Sequence, residues 1–422
     1  MSRIVVLGAG VVGMTSAYAL AKKGHEVCVV DAAPGPAEAG ASFGNGAQLS
    51  YYYTDAMASP SLAANIPKYI LRLDPAFRVR LTLSPAFMAW GLRFLGNATQ
   101  KAFERNTTDI LELGLQSRSG IADLSEKLEF DYSKTGKITL FSSKKSLLKA
   151  EGLSKLKNRY GAGQVVLTRE QALEKEPALA HYGHFFEGAI WSPHDEAGDS
   201  SLFCRNLRVL LERDYGVCFL FNTKVRRIQT RANELVGVTA ETEEIQCSRA
   251  VISLGAWTAP IAKTAGISLP IWPVQGYSLT VPALTLAPVA SITDTARKTV
   301  FCRIGDRLRI AGLADIGPVN GKFKEDRFRT LLTTAKGIFP KAGDYDGEVH
   351  AWTGFRPVTP DSKPVVGPTR VKGLYLNCGH GSLGWTLSMA TAEKLSELVG
   401  TFSAHCSLIS DLDGCHLRRS GT

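Results

Sequence analysis

Four residues near the start of the chain have the types and the spacing to hold a dinucleotide. Gly8, Gly10 and Gly13 stand in the run Gly8-Ala9-Gly10-Val11-Val12-Gly13, and Asp31 lies 18 residues after Gly13. Gly8 permits a tight turn. Gly10 has no Cβ to hold a pyrophosphate off the backbone, and Gly13 lets a helix lie close to a strand. The free N–H groups of a helix opening at Val11 and Val12 would point at the phosphates. Asp31, with Ala32 beside it, can hold a ribose hydroxyl, and its charge disfavours a 2′-phosphate and therefore NADP.

These residues need a particular frame, and the flanking sequence supplies it. Ile4 to Leu7 is a short apolar run, an amphipathic stretch reaches Lys23, and Glu26 to Val30 is a second run ending at Asp31. Strand, glycine turn, helix, strand and acid follow in the order of a βαβ unit.

The remaining 391 of the 422 residues are too many for one core with this unit, so two domains are expected. A composition of 45% hydrophobic and 21% charged residues describes an ordinary globular enzyme. No apolar run is long enough to span a membrane, and the motif beginning at residue 4 leaves no space for a cleaved leader. Eight scattered cysteines have neither CxxC nor metal-ligand spacing, so reduced buried thiols and no metal are expected. The expected location is the cytoplasm.

The net charge is +10 without a nucleic-acid motif or basic tail, so no nucleic-acid partner is expected. The excess is local: Ser61 to Arg105 holds seven Lys/Arg against two acids, among large apolar residues such as Phe87, Met88, Trp90 and Leu92. Such a stretch suits a helix lying in an anionic interface, here the inner face of the cytoplasmic membrane. Helices burying their apolar faces within the protein would read the same way.

Further along, Leu111 to Leu128 has helical spacing, Lys137 to Phe141 reads as a strand, and residues 144 to 160 as a basic helix. Leu202 to Tyr215 is helical, Val217 to Phe221 and Val225 to Ile228 are strands, and Val236 to Gln246 a hairpin. Pro270 to Ala314 is strand-rich, Leu374 to Asn377 a strand, and Trp385 to Val399 a closing helix. Nucleotide-type elements thus occur at the start, middle and end, so one domain is discontinuous. The expected division is 1–55, 186–265 and 346–422 for the cofactor domain, with 56–185 and 266–345 for the substrate domain.

Four more segments are distinctive: Ala41-Ser42-Phe43-Gly44-Asn45-Gly46-Ala47-Gln48, Val251 to Trp257, Trp352 to Asp361, and Gly379-His380-Gly381-Ser382-Leu383-Gly384-Trp385. With the N-terminal motif they resemble the FAD-dependent oxidoreductases of the D-amino-acid oxidase/glycine oxidase group, over nearly the whole chain. Pro273 to Thr280 and Arg307 to Gly312 look most like the bacterial D-amino-acid dehydrogenase (small-subunit) branch. The resemblance implies an α/β fold: a discontinuous Rossmann-type (glutathione-reductase-like) FAD-binding domain with an inserted α+β substrate domain built on an antiparallel sheet.

It also implies roles. The loop Asn45, Gly46, Ala47, Gln48 would lie beside the isoalloxazine, Val225 would meet the adenine with main-chain atoms, and Gly255 and Trp257 would belong to a second FAD-contacting loop. Gly381, Ser382, Leu383 and Gly384 precede a helix, so their amides can stabilise negative charge on reduced flavin. Arg356, in Gly354-Phe355-Arg356-Pro357, would grip a substrate carboxylate through two parallel N–H donors; a structural ion pair is the plain alternative. Relatives often add a tyrosine on the strand spanned here by Thr299 to Arg303, but this chain has Val300-Phe301-Cys302 there. Tyr51, Tyr52, Tyr53 and Tyr277 are candidates instead, Tyr53 foremost, although aromatic runs are more often core. His380 reads as a flavin-contact or positioning residue rather than a base, since hydride transfer does not demand one. No cysteine lies between 303 and 377, where relatives attach FAD covalently, so non-covalent FAD is expected.

The reading is a flavoenzyme that takes hydride from Cα of an amino acid, of D configuration, onto flavin N5, releasing an imino acid that hydrolyses to a 2-oxo acid and ammonia. A quinone or other respiratory acceptor is favoured over oxygen. Three rivals share the motifs: an oxidase or dehydrogenase of a cyclic or N-methyl amino acid (proline, hydroxyproline, sarcosine), a 2-hydroxy-acid dehydrogenase, and an FAD-binding subunit that needs partner chains for activity.

Overall fold

A computed structural model describes residues 3–318 and 321–400. The expected cofactor-domain stretch 401–422, with Cys406 and Cys415, lies outside the described residues.

Two sheets carry the fold. The first has six strands in the order Val365–Pro368, Leu374–Cys378, Arg249–Ile252, Ile4–Leu7, Val27–Val30 and Cys218–Leu220. All its pairings are parallel except that of Val365–Pro368. Ile4–Leu7 and Val27–Val30 are buried at every position, as strands covered on both faces must be, and this is why they read as unbroken apolar runs. One face is covered by the helices Val11–Lys22, Ser200–Tyr215 and Gly384–Val399, through residues such as Met14, Leu207 and Met389. The other meets the three-stranded sheet Val225–Arg231, Glu234–Ala240 and Glu244–Gln246, whose Ile228 and Val238 pack on Val5 and Ile252. The expected hairpin is present, with Val238 opposite Ile245.

The second sheet has nine strands. Its order is His350–Val358, Trp272–Pro282, Arg307–Ile316, Thr299–Ile304, Ser291–Asp294, Lys137–Phe141, Gly188–Ser192 and Val165–Thr168, with Phe77–Val79 joined to Arg307–Ile316. It is antiparallel apart from two pairings, Ser291–Asp294 with Lys137–Phe141 and Arg307–Ile316 with Phe77–Val79. Gly188–Ser192 and His350–Val358 belong here, not with the cofactor sheet to which the expected division assigned them. The reason is pairing: Ile138 stands opposite Trp191, and Gly276 opposite Gly354. We propose domain boundaries just after residues 192 and 358 accordingly.

The basic stretch 61–105 forms Pro60–Ile70, Pro85–Asn97 and the start of Gln100–Ser125. Pro85–Asn97 buries Phe87, Trp90 and Phe94 against Val274 and Val358, while Met88, Leu92 and Leu95 on the same helix face solvent. Among the described residues no helix is long and apolar enough to cross a membrane, and no group of three or more His, Cys, Asp or Glu could hold a metal ion.

Candidate active site

One cavity of about 2150 Å³ runs from the glycine turn after the first strand to Arg356. A single drug-sized ligand occupies roughly 300–1,000 Å³, so there is room for a dinucleotide and a small substrate end to end.

At the nucleotide end, Gly8 has φ +106°, and a Cβ on it would stand 2.5 Å from the Ser253 carbonyl oxygen. A Cβ on Gly13 would meet the Gly8 carbonyl oxygen at 1.8 Å. Turn, helix and third strand therefore close only over glycine. The helix opens at Val11, whose N–H donates to Ser42 Oγ at 3.0 Å. Asp31 accepts from the Ala9 N–H at 2.6 Å and the Ala33 N–H at 2.8 Å. Each of its oxygens keeps a lone pair for a ribose hydroxyl. Val12, Ala32 and Val225 line the same stretch, and Gly255 and Trp257 form a 3₁₀ turn at its rim, with Trp257 65% exposed. Ser253 Oγ and Asn377 Oδ1 are buried without a partner among the described residues, and both residues line the cavity. These orphaned polar atoms and the glycine cradle fit a dinucleotide cofactor.

Midway, the cavity passes between two loops. The first is stapled by Asn45, whose Oδ1 accepts from the Ala47 N–H at 2.8 Å while its Nδ2 donates to Ser200 Oγ at 2.7 Å. Ala47 is held at φ +58°. Gly46 and Gln48 line the cavity, and Gly44 lies against Trp352, where a Cβ would come within 2.5 Å of the indole. The second loop, Gly379 to Leu383, leads into the helix Gly384–Val399, and its residues Gly381, Ser382, Leu383 and Gly384 line the opposite wall. His380 is buried there, Nε2 3.0 Å from Thr391 Oγ1, and desolvation pulls its imidazole down to about 3. It is a neutral ring tied to the helix, which suits positioning and not base chemistry.

At the far end stands Arg356. Its guanidinium passes over Gly276, where a Cβ would be 2.5 Å from Cζ, and Nη1 donates to the Leu313 carbonyl at 3.0 Å. Among the described residues no carboxylate pairs with it, and burial alone lowers it to about 10. The ion-pair alternative therefore fails. Of the four candidate tyrosines, Tyr51 donates to Glu196 at 2.9 Å, Tyr52 accepts from Arg118 at 3.3 Å, and Tyr277 donates to Asp315 at 3.2 Å. Tyr51 and Tyr52 are bound into the protein interior, while Tyr277 lines the cavity with its hydroxyl tied to Asp315. Tyr53 lines the cavity and has no such partner among the described residues. Val300, at the strand position where the resemblance leads one to look for tyrosine, also lines the wall.

Sequence reasoning missed three wall residues. Trp352 and Ser42 lay inside segments already singled out. Lys137 gave the clearest signal, a lysine at the head of the apolar strand Lys137–Phe141. It is 1% exposed, and its Nζ donates to Gln48 Oε1 and Ser50 Oγ, both at 2.9 Å, and lies 4.0 Å from the Tyr53 ring centroid. Burial lowers it to about 8 and raises the nearby Asp195 to about 6.

Comparison with known proteins decides the family. The family model described as FAD dependent oxidoreductase matches residues 3–398. The chain belongs to that family. FAD is accordingly the dinucleotide, and the resemblance drawn from the five segments holds. A D-amino acid dehydrogenase of Vibrio vulnificus is 33% identical over 401 residues, covering 94% of this chain and 95% of that one. Glycine oxidase from Geobacillus kaustophilus superposes with TM-score 0.74 at 22% identity, covering 98% and 100% of the two chains. L-proline dehydrogenase from P. horikoshii gives TM-score 0.72 at 20% identity, covering 94% and 93%. These two structures share the fold, a Rossmann-type cofactor domain joined to a substrate domain. The chain is thus an FAD-dependent oxidoreductase.

Proposed function

We propose that this flavoenzyme oxidises an α-amino acid of D configuration at its Cα–N bond, giving a 2-oxo acid and ammonia after hydrolysis, and passes the electrons to a quinone or other respiratory acceptor. The observation that carries it is Arg356, a guanidinium enclosed in the cavity without a carboxylate partner among the described residues. A buried cation left unpaired is costly and marks a place for an anion supplied by a ligand. Bound FAD supplies the hydride acceptor.

The protein's own contribution is orientation. The bond to the Leu313 carbonyl holds the guanidinium still, so its remaining N–H groups can clamp a carboxylate in one plane and direct Cα along the cavity. Tyr53 and Trp352 wall the same chamber. His380 stays neutral and moves no proton. The D configuration is supported by relatives called D-amino acid dehydrogenase along 94% of the chain. The acceptor is supported by the same names and by the basic, apolar surface of residues 61–105, which we propose rests on an anionic membrane. We assign the FAD non-covalent attachment.

The test is anaerobic bleaching of the bound flavin's visible absorbance, with D- and L-amino acids, sarcosine and D- and L-proline in parallel. Bleaching by D-amino acids that is lost in Arg356→Ala supports the reading. Bleaching by proline or sarcosine alone moves the substrate to a cyclic or N-methyl amino acid, and bleaching by none moves it to a hydroxy acid or a partner-dependent subunit. Fast reoxidation by dissolved oxygen without turnover of quinone analogues would remove the proposed acceptor.

A further inference from the structure

With its ribose held by Asp31 and its pyrophosphate at the turn Gly8 to Gly13, FAD would extend its other arm between the loops 44–48 and 379–384, which line the same cavity. Lys137 sits at the junction of these two walls. Its ammonium donates to Gln48 Oε1, on the first wall, and to Ser50 Oγ. The Ser50 N–H donates in turn to Thr386 Oγ1 at 3.0 Å, in the first turn of the helix that closes the second wall. The remaining face of the ammonium is covered by the Tyr53 ring. Both hydrogen-bond acceptors are neutral.

We propose that Lys137 is a positioning and electrostatic residue for the redox step: a fixed, dry cation that holds Gln48 and offsets the negative charge which hydride transfer delivers to this end of the cavity. Hydride carries two electrons and one proton, so its arrival adds one unit of negative charge. A preorganised cation in a water-excluded site stabilises that charge without reorganising.

The surroundings distinguish this from charge balance in a core. The other buried lysine of the region, Lys157, is matched in direct contact by Asp55 and also donates to the Tyr52 carbonyl at 2.9 Å. Asp195, the acid whose charge acts most on Lys137, spends Oδ1 on the Tyr52 N–H at 3.0 Å, and its Oδ2 has no partner among the described residues. The Lys137 charge is therefore not quenched by contact with an acid, and its field reaches the cavity through Gln48 and Ser50. Burial lowers the group's pKa while the charges of Asp195 and Asp55 raise it, and both hydrogen bonds of Nζ run to acceptors, as an ammonium requires.

This inference rests on bound FAD, not on the choice of substrate. Its test is the midpoint potential of the FAD-loaded protein, found by equilibrium reduction against a reference dye with no amino acid present, so a wrong substrate assignment leaves it intact. Lys137→Met should lower the potential by a tenfold or greater loss in the two-electron equilibrium, about 30 mV. Lys137→Arg should restore it to within threefold. An unchanged potential in FAD-loaded Lys137→Met overturns the proposal, even if the variant is less stable. Removing one member of a buried charged set can prevent folding, whereas removing both is often tolerated. Should Lys137→Met fail to fold, Lys137→Met/Asp195→Asn is compared with Asp195→Asn, with the same tenfold drop expected and the same unchanged potential as refutation.

Discussion

Arg356 and His380 lie in the same cavity and have opposite fates, because one keeps its charge on burial and the other gives it up. A guanidinium whose pKa is lowered only to about 10 stays protonated at neutral pH, so it must be answered by an anion; an imidazole pulled to about 3 is neutral there and needs none. Arg356→Ala should weaken amino-acid binding by about 2–5 kcal/mol, roughly 30- to 5,000-fold in the concentration that half-reduces the flavin. Arg356→Lys should recover only part of this, since an ammonium lacks the planar fork. Equal half-reduction concentrations in wild type and Arg356→Ala would move the carboxylate elsewhere. His380 makes a separate prediction for pH. Its folded pKa lies below the unfolded value of about 6.5, so between the two the unfolded chain binds a proton that the folded chain refuses. Stability therefore falls as pH drops from about 6.5 towards 3. Urea midpoints across that window should decline less steeply in His380→Gln, and parallel declines would show that the histidine contributes nothing.

The elements explain which parts of the site could be read in advance. The glycine fingerprint was legible because strand, turn, helix and second strand follow one another in sequence, and the Gly13 contact with the Gly8 carbonyl lies within that unit, although Gly8 itself also faces the distant Ser253. Gly13→Ala puts a methyl group where the Gly8 carbonyl oxygen already sits, 1.8 Å from the new Cβ. We expect that variant to purify with little or no FAD and a lowered melting temperature; full FAD content at an unchanged melting temperature would contradict the packing argument. The large sheet was less legible because its neighbours are far apart in sequence. Strand Lys137–Phe141 lies between Ser291–Asp294 and Gly188–Ser192, and nothing local to residue 137 says so. Hence Lys137 reads as one charge in a strand until Gln48 and Ser50 close on it. The misplaced boundaries at 186 and 346 have the same origin: Gly188–Ser192 and His350–Val358 have the apolar character of either sheet, and only register assigns them. Trp352 was hidden differently, since its role depends on Gly44 and Gly354 leaving space for an indole.

Across the whole molecule, the surface formed by residues 61–105 is built on the substrate chamber. The helix Pro85–Asn97 buries Phe87, Trp90 and Phe94 against Val274 and Val358, and the Trp90 indole N–H donates to the Val358 carbonyl at 2.9 Å, two residues along the strand from Arg356. The same helix exposes Met88, Leu92 and Leu95, and Leu71, Leu73, Leu81 and Leu83 stand out nearby in sequence, Leu83 being 91% exposed. One apolar face of the helix Pro85–Asn97 is core, as the burial reading of this stretch expects, and the other faces solvent. These seven exposed large apolar side chains within one stretch of chain suit a covered surface, and the excess of Lys and Arg there suits an anionic bilayer. A lipophilic acceptor held there would be one helix away from the chamber wall. Vesicles containing anionic lipid should sediment the FAD-loaded protein at low salt, neutral vesicles should do so weakly, and added salt should release it by screening. A cation near the surface contributes about 1 kcal/mol, so Arg72→Gln with Arg93→Gln should weaken binding on the order of tenfold or more, while Leu83→Ser with Leu92→Ser tests the apolar half at unchanged FAD content. If the protein stays in the supernatant with anionic vesicles at low salt, the membrane assignment fails, and the exposed leucines must instead be covered by another protein.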